Sequence, residues 1–263
     1  MRYGSACYCL FFTPILRPKS RDMTSISISP IATIATPYKQ KFAIPRQPGL
    51  ARAKGKIQFI GEYDNADMLE GLEGYSHLWI LFQFHQTVER GWKAKVKAPR
   101  LGGNKTMGVL ATRSTHRPNG IGMSVVENLG VAKVGGNTVL EVSGVDLLDG
   151  TPILDIKPYL PYADSVPNAH AAIETINTIP EREVRFTSLA DAQVEQFSDQ
   201  DANVVQLIHA VLRQDPRPAY KQCIDDDPKH YRVQLYNFDV EWRVERGCIV
   251  VLALHSLEEK SPN

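Results

Sequence analysis

Short runs of apolar and β-branched residues fill the first half of the chain, and Gly, Pro, Asn and Asp separate these runs. This pattern is typical of strands joined by turns. The predicted strands span residues 30–35, 57–61, 76–84, 106–112, 122–129, 138–145 and 152–156. Gly135-Gly136-Asn137 and Asp149-Gly150 are predicted hairpin turns. Because no long helical period interrupts this stretch, it predicts an antiparallel barrel or sandwich rather than alternating β-α-β units.

The pattern changes near Pro180. The predicted elements beyond this point are a strand at 183–187, helices at 189–197 and 203–213, and strands at 231–235, 238–245 and 248–254. Residues 203–213 place apolar side chains at helical intervals, and Asp215-Pro216 ends the pattern. The second half therefore predicts a small α+β domain at 183–258, preceded by a polar linker at 166–182.

The N-terminal 22 residues are predicted to be an extension, and Met23 opens the first alternating stretch. Their apolar patch at 6–16 is interrupted by Pro14, is followed by no small-residue cleavage site, and is too short to span a bilayer. We therefore expect neither a signal peptide nor a membrane span. Loss of folding or activity after deletion of residues 1–22 would contradict this interpretation.

Cysteine spacing gives no support for a metal site or a disulfide framework. The four cysteines are Cys7, Cys9, Cys223 and Cys248. They form no CxxC pair and have no histidine at zinc-finger spacing, so no metal is predicted. A chain of 263 residues does not need disulfides to fold, which favours a reducing, cytoplasmic location.

A net charge of +1 conceals a strongly segregated basic stretch at 90–117. It holds eight Lys and Arg residues and no Asp or Glu, in a chain with 30 bases and 29 acids. Trp92 lies within it and offers a stacking surface. Cations with an aromatic residue suit a phosphate backbone and unstacked bases. The alternative is a solvated loop whose charge is balanced by acids elsewhere.

Several common chemistries lack their motifs. GGNKTMG does not satisfy the P-loop pattern, no GxGxxG follows a strand, and no HExxH or nucleophile elbow is present. The remaining polar motifs lie at strand ends, where binding residues often converge. Each has a structural alternative: His85 as a core or rim histidine, Asp149-Gly150 as a plain turn, and Arg113 and Arg117 as ion-pair partners of Asp146 or Asp155.

Four long motifs resemble the TsaA-like family, the TrmO-type tRNA (adenine-N6)-methyltransferases. They are GLEGYSHLWILFQFHQ, RLGGNKTMGVLATRSTHRPNGIGMS, DLLDGTPILDIKPYLPYADS and QDPRPAY. The resemblance covers residues 29–254. It implies a mainly β protein with an N-terminal antiparallel β-barrel at 23–165 that binds S-adenosylmethionine without a Rossmann fold. It also implies a homodimer, a C-terminal domain that helps to hold tRNA, and methylation of N6 of threonylcarbamoyl-adenosine next to the anticodon of threonine tRNA.

The resemblance assigns roles to individual residues. The implied cofactor contacts are Pro45, Arg46, Gln47, His85, Gln86, Arg113, Met123, Asp146, Leu147, Leu148, Asp149 and Gly150. The predicted substrate contacts are Lys95, Arg100 and Arg117 of the basic stretch, together with Arg217 and Tyr220, which the resemblance assigns to tRNA or interdomain contacts. One departure stands out: the family usually has RPNPIG, whereas this chain has RPNGIG, so the loop loses a proline that would fix its backbone.

Methyl transfer to an amine by in-line displacement depends mainly on positioning. The proton lost from N6 needs an acceptor, and Asp146, Asp155 and His85 are the candidates beside the substrate itself and solvent. The alternative function is a tRNA- or nucleotide-binding module without catalysis. A hydrolase is a third option, since paired carboxylates could orient water. Failure to bind S-adenosylmethionine in calorimetry would exclude the enzyme.

Overall fold

The computed structural model describes residues 25–45, 47–97, 106–171, 181–197 and 203–257. The predicted extension at 1–22 and residues 172–180 of the predicted linker lie outside this description. In the described part, strands predominate, so the mainly β prediction is confirmed.

Six strands of the first half pair in a closed ring in the order β1-β2-β7-β6-β3-β8, and every neighbouring pair is antiparallel. The elements of this half are β1 (Ala32–Ala35), β2 (Lys54–Phe59), β3 (His77–Gln83), α1 (His85–Val88), β4 (Lys95–Lys97), β5 (Thr106–Gly108), β6 (Ile121–Val134), β7 (Asn137–Ser143), β8 (Thr151–Pro158) and α2 (Pro161–Asp164). Alternate side chains along β2 and β3 are buried, as expected for strands with one face in a core. Strands β4 and β5 form a separate two-stranded sheet.

Two sequence predictions about this half are wrong. The predicted strand at 106–112 ends after Gly108, because residues Val109–Ala111 form a 3-10 turn that the Thr112 hydroxyl caps at the Val109 carbonyl. Asp149-Gly150 forms a turn but not a hairpin, because β8 pairs with β1 and β3 instead of β7. Gly135-Gly136 does form the predicted hairpin turn, between β6 and β7, and both glycines have positive φ.

The second half contains a four-stranded sheet in the order β10-β11-β12-β9, with β9 parallel to β12. Its elements are β9 (Val184–Phe186), α3 (Ser188–Val194), α4 (Val204–Leu212), β10 (Asp227–Leu235), β11 (Phe238–Glu245) and β12 (Cys248–Ser256). The amphipathic face predicted for α4 is buried through Val204, Leu207, Ile208, Val211 and Leu212. Helices and sheet together give the α+β architecture expected from the sequence.

The two halves share one apolar core and contact each other through backbone hydrogen bonds. Tyr38 forms a β-bridge with Leu235, and the Tyr236 amide donates to the Pro37 carbonyl at 2.9 Å. The Tyr38 side chain is fully buried at this junction. Within the described ranges, no helix is long and apolar enough to cross a bilayer.

Candidate active site

A cavity of about 530 Å³ opens where β3 ends and β6 begins. Its walls include residues from five separated stretches, which begin at Lys41, Phe82, Thr112, Ile121 and Asp146. The volume falls in the range of small-molecule sites. The barrel topology thus brings together the strand-end motifs that are far apart in the sequence.

The apolar wall of this cavity depends on Gly122 in β6. The Phe82 and Phe84 rings meet edge to face with centroids 5.2 Å apart. A Cβ on Gly122 would lie 2.4 Å from the Phe82 ring and 2.9 Å from the Phe84 ring. Only glycine therefore lets β6 approach this aromatic pair. The sequence motif contains the glycine but does not reveal the rings against which it packs.

Arg113 and Arg117 both line the cavity and are held by neutral partners. The Arg113 guanidinium donates to the side-chain oxygen of Gln47, and Arg117 donates to the Thr112 carbonyl at 2.8 Å. Neither arginine forms an ion pair with Asp146 or Asp155, so the structural alternative of strand-holding ion pairs is wrong. Their positive charges remain available at the cavity wall.

Asp146 is partly buried in the cavity wall and accepts a hydrogen bond of 2.6 Å from the Ser124 hydroxyl. Burial raises the pKa of this carboxyl, although the Ser124 hydrogen bond and the nearby Arg113 charge act in the opposite direction. Sequence reasoning missed Ser124. The signal was its position two residues after Gly122, which directs the Ser124 side chain to the face of β6 on which Gly122 packs against the Phe82 and Phe84 rings.

The Tyr38 hydroxyl is buried and has no hydrogen-bond partner among the described residues. Burial is the main cause that raises the pKa of this hydroxyl above its ordinary value, and Tyr236 and the charge of Asp146 act in the same direction. The Tyr38 hydroxyl therefore stays protonated. A neutral tyrosine therefore lies buried at the junction between the two halves.

Asp149 and Gly150 do not line the cavity, unlike the predicted cofactor contacts at 146–148. The Asp149 carboxylate accepts from the Thr36 amide at 2.8 Å and pairs with Lys39 at 2.6 Å. Gly150 has φ 73, a value that glycine adopts without strain. The pair forms a structural turn that ties β1 to the start of β8.

Asp155, the third predicted proton acceptor, is not among the residues that line the cavity. It lies within β8 opposite Leu81, accepts from the Ile156 amide at 2.9 Å and lies 3.8 Å from Lys157. Its side chain is half exposed. The remaining candidates, Asp146 and His85, both line the cavity.

Most of the other predicted contacts do converge. The predicted residues that line the cavity are Pro45, Gln47, His85, Gln86, Arg113, Arg117, Met123, Asp146, Leu147 and Leu148. Arg46 and Arg100 lie outside the described residues. Within the described part of the chain, no three His, Cys, Asp or Glu side chains gather as metal ligands.

The first half of the basic stretch lies beside the cavity. The Lys93 amide donates to the His116 carbonyl at 3.0 Å, which ties the segment after α1 to the cavity-lining loop at 112–117. Lys95 begins β4 and is exposed. Among the described residues, no carboxylate pairs with the cations of this segment, which are Arg90, Lys93, Lys95 and Lys97. The alternative interpretation was a solvated loop whose charge is balanced by acids elsewhere, and no such ion pair is seen for these four cations.

Arg217 is completely buried, which corrects its prediction as a tRNA contact. Its guanidinium binds both oxygens of Asp215, at 2.8 and 2.7 Å, and lies 3.5 Å from Asp227. Arg182 donates to the same Asp215 carboxylate at 2.8 Å. A side chain with no exposed surface cannot reach a tRNA. Tyr220, by contrast, is 74% exposed and stays a predicted contact.

Two family models match the chain. The tRNA-methyltransferase O N-terminal domain matches residues 33–165, and the TrmO C-terminal domain matches residues 180–257. The chain belongs to the tRNA-methyltransferase O family. The family resemblance deduced from the four motifs is therefore confirmed.

Two relatives are similar over most of the chain, and a third is similar over about half of it. The tRNA (adenine(37)-N6)-methyltransferase of Escherichia coli is 47% identical over 233 residues, which are 88% of this chain and 99% of that protein. A crystal structure of TrmO from Pseudomonas aeruginosa has a TM-score of 0.71 at 40% identity and covers 88% of this chain and all of its own. A Methanothermobacter thermautotrophicus protein named "Probable S-adenosyl-L-methionine-binding protein" is 36% identical over 141 residues, 54% of this chain and 95% of its own.

Proposed function

We propose that this tRNA-methyltransferase O family member methylates N6 of threonylcarbamoyl-adenosine at position 37 of threonine tRNA. The coarser activity follows from the family: the chain is an S-adenosylmethionine-dependent tRNA (adenine-N6)-methyltransferase. The observation that carries the proposal is the convergence of ten predicted contact residues, from five separated stretches, on one cavity. The two domains at 23–165 and 183–258 and a homodimer belong to the same proposal.

The residues of the cavity fit S-adenosylmethionine. Its carboxylate needs a cation, and Arg113 is available with only a neutral partner in Gln47. Its positive groups need an anion, and Asp146 forms no ion pair among the described residues. Its adenine needs an apolar surface, which Leu147 and the Phe82–Phe84 pair can provide. Each chemical part of the cofactor thus has a matching group in the wall.

When bound, S-adenosylmethionine supplies a methyl group on a sulfonium sulfur, and we propose its transfer to N6 in line with the departing thioether. The chain contributes by holding groups in place, which is the main requirement of such a reaction. Gln47 fixes the Arg113 guanidinium, and Ser124 fixes the Asp146 carboxylate. Both contacts are made by the protein's own side chains, so they hold the two charged groups in place on the cavity wall.

The proton released from N6 requires an acceptor near the cavity. Asp146 and His85 line the cavity, whereas Asp155 does not. Burial raises the pKa of Asp146, which makes it a stronger base than an ordinary aspartate. Proton release to the substrate's own carboxylate or to solvent is the alternative. The pH dependence of single-turnover rates in Asp146→Asn and His85→Gln variants separates these routes.

The exposed cations beside the cavity support binding of the anticodon arm. Lys95 offers a charge to RNA phosphates, and Arg117 at the cavity wall can meet the substrate's carboxylate. The target lies in a single-stranded loop, so little duplex has to be opened before the base enters a cavity. Tyr220 contributes an exposed aromatic surface in the C-terminal domain.

The experiment is incubation with methyl-labelled S-adenosylmethionine and threonine tRNA that carries or lacks threonylcarbamoyl-adenosine, followed by nucleoside analysis. We expect label only in the modified nucleoside at position 37. Label in another nucleoside would contradict the substrate, and absence of cofactor binding in calorimetry would favour the non-catalytic module.

Arg113→Ala provides the matching site test. We expect at least roughly 10-fold weaker cofactor binding, because a charge-assisted contact is lost, with a smaller effect on tRNA affinity. The control is Lys56→Ala, because Lys56 lies on the barrel but pairs with Glu141 at 3.5 Å. Equal losses of cofactor and tRNA binding in Arg113→Ala would contradict the assignment of Arg113 to the cofactor.

A further inference from the structure

Trp92 is a large aromatic side chain that the fold leaves 63% exposed. It follows α1, whose residues His85, Gln86 and Thr87 line the cavity. The contact residues deduced from the family motifs do not include it. An exposed aromatic ring offers a surface on which an unpaired nucleobase can stack.

Backbone hydrogen bonds fix the position of Trp92 on both sides. The Gly91 amide donates to the Val88 carbonyl at 3.1 Å, and Gly91 has φ 70, which turns the chain sharply after α1. The next amide, of Lys93, donates to the His116 carbonyl at 3.0 Å. The backbone of Trp92 is thus tied on both sides to segments whose residues Thr87, Thr115 and Arg117 line the cavity.

The charge around Trp92 identifies the kind of partner. Arg90, Lys93, Lys95 and Lys97 lie within five positions of it, and Glu89 is the nearest acid in the sequence. No carboxylate in the described part of the chain pairs with these four cations. An apolar protein partner would have to bury several unpaired charges at considerable cost. A single-stranded RNA offers phosphates to the cations and a base to the ring.

We infer that the Trp92 indole is the stacking platform for a nucleobase adjoining the target adenosine, on the 5′ or the 3′ side, while the target base occupies the cavity. This rests on the proposed function, because it takes the anticodon loop as the ligand. Stacking on a neighbouring base would hold the loop open and set the depth to which the target enters. Trp92 is then a positioning residue for RNA, and it does not contact the cofactor.

The first test measures binding of a fluorescently labelled anticodon stem–loop by anisotropy. Trp92→Ala should bind roughly 10-fold more weakly, as expected for loss of one base–aromatic stack, and Trp92→Phe should recover most of this loss. Cofactor affinity by calorimetry and the thermal midpoint should not change. Tyr162→Ala is the matched control, because Tyr162 is 87% exposed in α2, near the opposite end of β3.

The second test locates the stacked base by a double-mutant cycle. Stem–loops with an abasic site immediately 5′ or 3′ of the target are bound to the wild type and to Trp92→Ala. At one of the two positions, loss of the base should weaken binding to the wild type roughly 10-fold and binding to the variant little. Additive losses at both positions would overturn the inference.

The outcomes also separate this inference from the proposed function. If the wild type transfers no methyl group but the cycle shows coupling, the proposed activity fails and the stacking role stands. If the wild type binds no RNA, or if Trp92→Ala changes only the oligomeric state in sedimentation, the stacking role is overturned. The activity assay with labelled cofactor is then judged separately.

Discussion

Asp146 in the barrel and Asp215 in the C-terminal domain are both carboxylates removed from bulk water, yet their pKa values shift in opposite directions. Burial raises the pKa of Asp146, and one hydroxyl with a nearby arginine does not reverse the shift. Burial acts in the same direction on Asp215, but the hydrogen bonds and charges of Arg217 and Arg182 outweigh it and lower its pKa. The difference lies in whether the protein itself compensates the charge.

This difference separates a structural from a functional role. The Asp215 carboxylate is fully used by two arginines inside the protein, so it can offer nothing to a ligand. Asp146 faces a cavity with a charge that the described residues leave unpaired, and a positively charged ligand can compensate it. Perturbed carboxylates in cavities are therefore better site candidates than perturbed carboxylates in ion clusters.

The largest predicted effect is on stability, from Arg217→Met. This change leaves Asp215 with one arginine instead of two and removes a completely buried cation. We expect the free energy of unfolding to fall by about 3–5 kcal/mol, as for other broken buried ion pairs, measured by urea denaturation. Cofactor affinity of the folded variant should not change.

Arg185→Met is the matched control, because Arg185 pairs with Glu183 at 2.9 Å but is 63% exposed. It should cost much less stability than Arg217→Met, because exposed ion pairs contribute little. The pH dependence of the free energy of unfolding gives a second check, because its direction can be predicted. Because the pKa of Asp215 is lowered, its contribution is complete above the ordinary value of 3.8 and is lost as the pH falls through the lowered value. A loss below 1 kcal/mol in Arg217→Met would contradict a stabilising role for the cluster.

The second prediction concerns Asp146→Asn, which removes the charge but keeps an acceptor for Ser124. We expect S-adenosylmethionine to bind at least roughly 10-fold more weakly in calorimetry. The unfolding temperature near pH 7 should be equal or higher. Because the pKa of Asp146 is raised in the folded protein, its ionisation lowers the free energy of unfolding at pH values above the folded-state pKa. At pH values below the ordinary pKa of 3.8, Asp146 is protonated in both states, and the wild type and the variant should be equally stable.

Asp149→Asn is the control for this prediction. Asp149 lies three residues away and is already paired with Lys39 and the Thr36 amide. It should lose some stability and keep its cofactor affinity. Equal losses of cofactor affinity in Asp146→Asn and Asp149→Asn would contradict a special role for the unpaired Asp146 charge. Wild-type cofactor affinity in Asp146→Asn would contradict it as well.

The third prediction concerns the loop that carries Arg117. Gly120 has φ 60, and its amide donates to the Arg117 carbonyl at 3.1 Å. Gly120→Ala should cost about 1–2 kcal/mol from the left-handed backbone alone, because its Cβ would meet only Val88, at 3.4 Å. Gly120→Pro restores the family's usual RPNPIG but cannot adopt this φ or donate this bond, so it should cost more. A proline variant as stable as the wild type in urea would contradict this.

Much of the fold could be predicted from local patterns. Alternation predicted the barrel strands within a few residues, and Gly135-Gly136 predicted the hairpin between β6 and β7. The Asp149-Gly150 turn shows the limit of such patterns. Its residues are those of a hairpin, but β8 pairs with β1 and β3, and only the closure of the barrel determines these partners. Long-range pairing has no local signal.

The candidate site was predictable in its membership but not in the role of each residue. The motifs contained His85, Arg113 and Asp146, which converge on the cavity. Arg217 and Asp155 were equally polar and belonged to equally specific motifs. Their positions, one inside an ion cluster and one on a strand away from the cavity, depend on side-chain direction in the folded protein. A sequence motif does not encode this direction by itself.

The smallest predicted effect is on tRNA binding, and it compares a paired with an unpaired charge at the protein surface. Lys56 is paired with Glu141 at 3.5 Å, whereas the exposed Lys95 has no carboxylate partner among the described residues. Lys95→Ala should weaken tRNA binding only roughly 3- to 5-fold, because one exposed charge contributes up to about 1 kcal/mol. The slope of log affinity against log salt should become shallower by about 0.7, the value for one contact to single-stranded RNA. Lys56→Ala should leave both quantities unchanged. If Lys95→Ala and Lys56→Ala change the slope equally, the unpaired charge of Lys95 has no special role in RNA binding. Pairing of a charge within the protein would then no longer distinguish structural groups from ligand-binding groups.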